Sequence, residues 1–196
     1  MNVYLVRHGR TKWNVESRIQ GLRDIELDDI GLVQSQAVVE KLKQVPIDIV
    51  YSSPLLRAQV LSEMLSKQHQ VVLHLDERWR ELHAGDFEGW TWAEVEKHHL
   101  GVLKAIKQSN FTIPLPNGES LNQLQERAVE AFQEVLSHQY QNVVIVSHGG
   151  TIKALLCALL HIPLEQRDHF MIENGSIIHL KQTSDGWILH SIEHIE

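Results

Sequence analysis

Four short aliphatic runs, at 2–6, 47–51, 71–75 and 143–146, are separated by segments with helical periodicity. Each run is rich in valine and isoleucine and too short for a buried helix, so each reads as a strand buried on both faces. Between them, 31–43 places Leu32, Val33, Ala37, Val38 and Leu42 at helical spacing, and 54–67 does the same with Leu55, Leu56, Leu61, Met64 and Leu65. Pro54 suits a first helical turn. A third helix is expected over 120–138, where Ser120 and Gln123 form a capping-box pattern. A fourth, at 151–161, is apolar nearly all round and so buried. Strands alternating with helices predict an α/β domain with a largely parallel sheet. The segments 176–180 and 187–192 read as a closing strand pair around Ser184-Asp185-Gly186. The stretch 90–118 breaks the alternation. With Trp90, Trp92, Phe111, Pro114 and Pro116, it reads as a helix and loop able to cover a site.

A length of 196 residues with 43% hydrophobic and 22% charged residues fits one domain spanning 1–196. The formal net charge of −7 argues against general binding of nucleic acid or of an anionic membrane surface. An anionic ligand would have to be held by a local basic cluster. No apolar run approaches the roughly 18 residues of a membrane span, and the N-terminus reads directly as a strand rather than a signal peptide. The single cysteine, Cys157, sits in an apolar run and reads as a buried thiol. These features point to a reducing cytoplasm. No residue pattern fixes an oligomeric state.

In open parallel sheets, ligands bind beyond the carboxyl ends of the strands. The first run leads straight into Arg7-His8-Gly9, the second into Ser52-Ser53-Pro54 and then Arg57, and a later one into Ser147-His148-Gly149-Gly150. Two arginines and two histidines, distant in sequence, are therefore projected toward one rim. Arginine's planar fork matches phosphate oxygens, glycines allow close backbone approach, and the helix after Gly150 can aim its N-terminus at an anion. A histidine with a free ring nitrogen is a nucleophile toward phosphorus. Phosphoryl transfer needs alignment and charge neutralisation above all, which such a cluster supplies without a metal. Taken singly, an Arg-His pair after a strand reads as a surface or capping feature and Ser-His-Gly-Gly as a turn; only their joint placement argues for a site.

The run Leu5-Val6-Arg7-His8-Gly9-Arg10-Thr11-Lys12-Trp13-Asn14 resembles the signature of the histidine phosphatase, or phosphoglycerate mutase-like, superfamily. Gln20-Gly21 with Asp24, Leu27, Gly31, Gln34 and Gln36-Ala37, then Ser52-Ser53-Pro54-Leu55-Leu56-Arg57-Ala58, then Arg80-Glu81 through Gly89, and Val146 through Gly150 resemble its further blocks in order. The resemblance implies a three-layer αβα sandwich with a mostly parallel sheet and a metal-independent reaction with no cofactor. It implies His8 as the phosphorylated nucleophile, with Arg7, Arg57 and His148 holding phosphoryl oxygens. Glu81 would protonate the leaving oxygen and then assist water, and Asn14, Gln20, Gly21 and Gly149 would face a small phosphorylated substrate. Glu26 and Asp28 stand where that family commonly has proline and threonine, and Val60-Leu61 where it has Gln-Thr.

Three points have competing readings. Asp86 and Glu88 rival Glu81 as the acid, although Trp79, Leu82 and Trp90 near Glu81 would favour the protonated carboxyl that a general acid needs. Trp90 and Trp92 could stack on substrate or pack beneath a loop. Thirteen histidines invite a metal site, but there is no His-Glu-x-x-His pattern and no cysteine cluster, so no metal is expected. Of the possible functions, a phosphatase is favoured over a mutase. Between Glu81 and Arg127 the only cations are Lys97, Lys104 and Lys107, few for retaining a bisphosphorylated ligand. A non-catalytic phospho-ligand module would be expected to have lost His8, Glu81 or an arginine.

Overall fold

The computed structural model describes residues 1–195. Strand β1 (Asn2–Arg7) feeds a loop with a one-turn helix, α1 (Lys12–Val15), before α2 (Asp29–Leu42). Strand β2 (Ile49–Ser52), α3 (Leu56–His69) and β3 (Leu73–Leu75) follow, then two short 3₁₀ turns at Glu77–Trp79 and Gly85–Phe87. Next come α4 (Trp92–Gln108), α5 (Leu121–Leu136), β4 (Asn142–Ser147) and α6 (Gly149–Leu159). A 3₁₀ turn at Leu164–His169 leads to the hairpin β5 (Ile177–Thr183) and β6 (Gly186–Glu193).

The six strands form one sheet in the order β3-β2-β4-β1-β5-β6. The pairs β3–β2, β2–β4 and β4–β1 are parallel, while β5 runs antiparallel to both β1 and β6. Side chains alternate across each strand, and both faces are buried at the central strands β1, β2 and β4. Val3, Leu5, Val143 and Ile145 face Phe132 of α5 and Leu155 and Leu156 of α6. Val6, Val50, Val144 and Val146 face Val38 and Leu42 of α2 and Ala58, Leu61 and Leu65 of α3. These are the three layers that the resemblance implied. A separate small cluster, Ala84, Phe87, Val95, Ile106 and Leu115, lies under α4. Among the described residues no helix is long and apolar enough to cross a membrane.

Local chemistry sets the helix ends, and here several expected boundaries shift. Helix α2 begins two residues before the expected Gly31 because Asp28 is its N-cap, accepting from the Gly31 amide at 2.8 Å. Such a cap contributes about 1 kcal/mol, so Asp28 does the work that threonine would do there. Its other oxygen pairs with Arg10 at 2.8 Å. Helix α3 starts at Leu56 rather than Pro54, since Leu55 is extended (φ −66, ψ 134), and ends at Gln70 in the left-handed region. Ser120 and Gln123 form the expected capping box of α5. Thr91 and Glu94 form another at the start of α4, which is kinked at His99. Helix α6 starts at Gly149, not Thr151, with His148 as its N-cap residue. Strand β2 begins at Ile49 and β3 at Leu73, each two residues later than the aliphatic pattern suggested. Gly9 and Gly31 meet back to back where the loop after β1 crosses α2, and a Cβ on either would strike the other segment's backbone.

Candidate active site

The parallel strands β1, β2 and β4 end side by side. Arg7 is the last residue of β1 and pairs in register with Ser147 of β4, while Ser52 of β2 pairs with Val146. His8, Ser53 and His148 are the next residues in each chain segment, and all three are buried. Arg57 enters from the first turn of α3 and is fully buried. The expected convergence is therefore met through the register of three neighbouring strands.

Hydrogen bonds fix the state of each ring. His8 Nδ1 lies 2.7 Å from the Gly9 carbonyl. A carbonyl only accepts, so Nδ1 carries the proton and Nε2 keeps its lone pair. Burial, then the Arg57 and Arg7 charges, hold the His8 pKa well below its ordinary value of 6.5. The ring is thus a neutral imidazole at neutral pH. The loop before β5 holds its backbone: the Gly175 amide donates to the Arg7 and His8 carbonyls, and the Asn174 amide group donates to the carbonyls of His8 and Gly9.

His148 lies with its ring 5.1 Å from that of His8, centroid to centroid. Arg57 Nε donates to His148 Nδ1 at 3.2 Å, and His148 Nε2 lies 2.8 Å from Ser53 Oγ. Burial and Arg57 keep this ring neutral too, with its pKa well below 6.5. A neutral ring accepting at Nδ1 must donate from Nε2, so both nitrogens are occupied. His148 is 0% exposed and does not reach the pocket surface. To reach a phosphoryl oxygen it would have to turn its Nε2–H away from Ser53 or take up a second proton, which an arriving anion favours.

The arginines are anchored by carbonyls. Arg57 donates to the Arg23 carbonyl at 2.7 Å and the Gly21 carbonyl at 2.9 Å, and burial pulls its pKa down to about 10. Arg7 donates to the Ile172 carbonyl at 2.7 Å, while its buried Nε has no partner among the described residues. Burial lowers its pKa, with Glu81 and Glu173 opposing. Among the described residues, no carboxylate is in direct contact with either guanidinium. Buried cations without a paired anion cost stability, and a bound oxyanion would recover that cost.

Glu81 is presented by a segment tied down from three sides. Ser147 Oγ donates to the Trp79 carbonyl, Thr151 Oγ1 to the Arg80 carbonyl, and Arg127 of α5 to the carbonyls of Arg78, Arg80 and Glu81. Its carboxylate accepts from the Leu82 amide at 2.9 Å and the Gly150 amide at 3.1 Å. Of the three apolar neighbours expected around it, Trp79 points into the main core and Trp90 packs on His98 and His99, which leaves Leu82 beside it in the pocket lining. The Gly150 amide at the start of α6, expected to face an anion, is spent on Glu81. A Cβ at Gly150 would overlap that carboxylate. The rival acids are engaged elsewhere. Asp86 accepts from Asn117 near the surface, while Glu88 accepts from the Leu22 amide at 2.9 Å and pairs with Arg23 at 3.3 Å. Glu88 thereby holds the loop whose carbonyls grip Arg57.

A pocket of about 600 Å³ opens over this cluster. Arg7, His8, Asn14, Gln20, Gly21, Arg57, Glu81 and Gly149 all line it. Gln20 is 8% exposed and its Oε1 has no partner among the described residues. The Asn14 Oδ1 is already engaged by Thr11 and Asn174. Trp92, Leu103, Ile106, Phe111, Ile113 and Leu115 from the 90–118 stretch form an apolar wall. Trp92 thus faces the pocket while Trp90 does not. Counting cations only between Glu81 and Arg127 missed others: besides Lys107, the pocket is lined by Arg18, Lys153 and Arg167 from elsewhere. Nothing in the local sequence of those three marks them, because only the fold brings them together.

The neutral histidines imply a pH response. A buried histidine whose folded pKa is depressed leaves the unfolded chain binding more protons as pH falls below about 6.5. Stability from this source is therefore complete above about pH 6.5 and is lost as pH falls toward the depressed folded value. The limiting slope is about 1.4 kcal/mol per pH unit for each ring. Denaturant titrations from pH 7.5 to 5 should show stability falling, with His8→Asn removing about one ring's share. Saturating sulfate should flatten the profile of the wild type, because an anion lets His148 accept a proton in the folded state.

A doubly wound sheet with a buried imidazole between two arginines at its carboxyl edge is the architecture of a phosphoryl-handling α/β protein. The sequence matches the family model of the histidine phosphatase superfamily (branch 1) over residues 3–194, and the chain belongs to that family. It is 33% identical to a putative phosphoserine phosphatase 2 of Hydrogenobacter thermophilus, covering 91% of this chain and 89% of that protein. It is 30% identical to a metal-independent phosphoserine phosphatase of Arabidopsis thaliana, covering 96% and 79%. Among solved structures, mycobacterial glucosyl-3-phosphoglycerate phosphatase complexed with VO3 superposes with a TM-score of 0.86 at 30% identity, covering 97% of each chain.

Proposed function

We propose that the protein is a phosphomonoester hydrolase that works through a phosphohistidine at His8 on a small phosphorylated metabolite. The observation that carries this reading is the His8 ring: Nδ1 is locked to the Gly9 carbonyl, and Nε2 is left as a lone pair in a pocket lined by Arg7 and Arg57. In the first step Nε2 attacks phosphorus, the P–O bond to the leaving group breaks, and Glu81 gives its proton to the departing oxygen. In the second step water attacks the phosphohistidine, Glu81 takes the water's proton, and the P–N bond breaks to release phosphate. Arg7 and Arg57 neutralise the phosphoryl oxygens throughout, joined by His148 once it is protonated. Gln20, Gly21, Asn14 and Gly149 face the organic part of the substrate.

The relatives support this assignment, since those named above are phosphatases of phosphoserine or of a sugar-linked phosphoglycerate. We also read 1–196 as one catalytic unit in which 90–118 serves as a cap with an apolar inner face. A lone buried thiol at Cys157 fits a reducing cytoplasm. The test is hydrolysis of a generic aryl phosphate by purified protein in excess chelator. Sustained turnover with stoichiometric phosphate release is expected, and its absence in folded protein would end the proposal. Appearance of the phosphoryl group on a second substrate hydroxyl, rather than in water, would favour a mutase instead.

A further inference from the structure

The two nitrogens of His148 meet different chemistry. Nδ1 accepts from Arg57 Nε at 3.2 Å, and Arg57 lines the pocket. Nε2 lies 2.8 Å from the hydroxyl of Ser53, a fully buried residue outside the pocket lining. Nδ1 is therefore on the cradle side of the ring and Nε2 on the far side. A guanidinium only donates, so in the empty pocket the single ring proton sits on Nε2 and is given to Ser53.

Ser53 is held as a fixed acceptor. Its amide donates to the Val146 carbonyl at 3.0 Å, and Ser52 Oγ donates to its own carbonyl at 2.8 Å. Its backbone is thus pinned to β4, the strand that leads into His148. Ser53 Oγ also accepts from the Leu55 amide at 3.3 Å, so both its lone pairs are filled. That the acceptor is uncharged matters. Arg57 of α3, Arg7 and His8 at the end of β1 and Arg127 of α5 all oppose protonation of the ring. The carboxylate on this side, Glu81, is held by the Gly150 amide. A carboxylate in place of Ser53 would charge the ring, or cancel the cradle's charge, before any ligand arrived. A hydroxyl leaves the ring neutral while the pocket is empty, yet can hold an imidazolium once an anion supplies the missing charge.

Building on the phosphatase reading of the same site, we propose that Ser53 is a positioning residue that holds the Nε2–H of His148, so that Nδ1 is the nitrogen that gains a proton as the phosphoryl group arrives and hydrogen-bonds to it. The proton comes from solvent, and no covalent bond other than N–H is made. Arg57 Nε leaves Nδ1 in the same event and turns its own N–H to the anion. The Ser53–His148 hydrogen bond persists and becomes charge-assisted, about twice as strong as one between neutral partners.

The test uses the His8→Ala chain, which removes the other cradle imidazole, and inorganic sulfate, which does not titrate near neutral pH. Calorimetry in two buffers of different ionisation enthalpy, from pH 5 to 8, counts the protons taken up on binding. Sulfate should bind with uptake of about one proton. Its affinity should fall about tenfold per pH unit as pH rises, then level off above the pKa of His148 in the complex. Adding Ser53→Ala should lower that levelling point by about one pH unit, the difference between a charge-assisted and a neutral hydrogen bond. Affinity should therefore drop about tenfold on the acid side and change little above the levelling point, where sulfate meets a neutral ring in both chains. Ser53→Cys fills the same space with a weak acceptor and should follow Ser53→Ala. Sulfate binding without proton uptake, or no binding at all, would overturn the proposal. So would uptake that survives His148→Gln, which would assign the proton to another group such as Glu81. Weakening by the same factor at every pH in Ser53→Ala, or no change in Ser53→Cys, would reduce Ser53 to a packing residue. Proton-linked sulfate binding by a chain whose wild type hydrolyses no ester would instead refute the phosphatase reading and leave the role of Ser53 at the anion site standing.

Discussion

Replacing His8 with alanine should lower turnover of an aryl phosphate by about four orders of magnitude or more, the scale seen when a covalent nucleophile is removed. The loss should fall on chemistry and not on anion binding. Arg7 and Arg57 are anchored by the carbonyls of Ile172, Gly21 and Arg23, none of which involves the His8 ring. The His8 backbone is held by the Ser147 carbonyl and by Gly175 and Asn174, contacts that alanine keeps. Sulfate affinity should therefore change only severalfold. The covalent intermediate gives a second measurement. Wild-type protein quenched during turnover should carry an acid-labile, alkali-stable phosphoryl group, absent from His8→Ala. Among the described residues, the imidazole beside His8 is that of His148, its ring 5.1 Å away, but both its nitrogens are engaged. Label persisting in His8→Ala and vanishing in His148→Ala would reverse that assignment.

The sequence reading succeeded where a local pattern and the global arrangement depend on the same cause. Valine- and isoleucine-rich runs mark β1, β2 and β4 because both sheet faces are covered, and reactive residues just past those runs must meet if the strands are parallel neighbours. That reasoning placed Arg7, His8, Arg57 and His148 together without a family match. The boundaries shifted where a single side chain or dihedral decides: Asp28 as a cap, Leu55 in an extended conformation. At Glu81, adjacency along the chain is not adjacency in space. Trp79 turns into the core while the carboxylate turns toward Leu82 and Gly150. Arg127, Lys153 and Arg167 are not legible in the sequence for the complementary reason. Each lies on an element whose sequence satisfies an ordinary helix or turn, and its relation to the site exists only after folding. Counting charges within a window of sequence is a poor guide to the charge of a pocket assembled from stretches far apart in the chain.

Removing Glu81 should produce two different defects depending on the leaving group, because one carboxyl serves both steps. An alkyl phosphate releases a strongly basic alkoxide unless it is protonated, so in Glu81→Ala its first step should slow by about 10² to 10⁴, the usual contribution of a positioned acid. An aryl phosphate with an acidic phenol leaves unaided, so its first step should be nearly intact. The second step is the same for every substrate, since the alcohol has already gone and water must attack the phosphohistidine without a base. With the aryl ester, Glu81→Ala should therefore show a burst of phenol equal to the enzyme present, followed by slow steady turnover. With the alkyl ester no burst should appear, because phosphorylation itself limits. The variant also frees the Gly150 and Leu82 amides, so its melting temperature must be measured beside its kinetics. That structural loss is common to both esters and cannot create a difference between them. Equal slowing of the two esters, with no burst from either, would mean that Glu81 only positions the start of α6 and that the proton comes from another group. Asp86 and Glu88 would not be the natural replacements, as one faces Asn117 and the other is held by Leu22 and Arg23. A water held by Gln20, whose Oε1 lies buried without a partner, would then be the next donor to test.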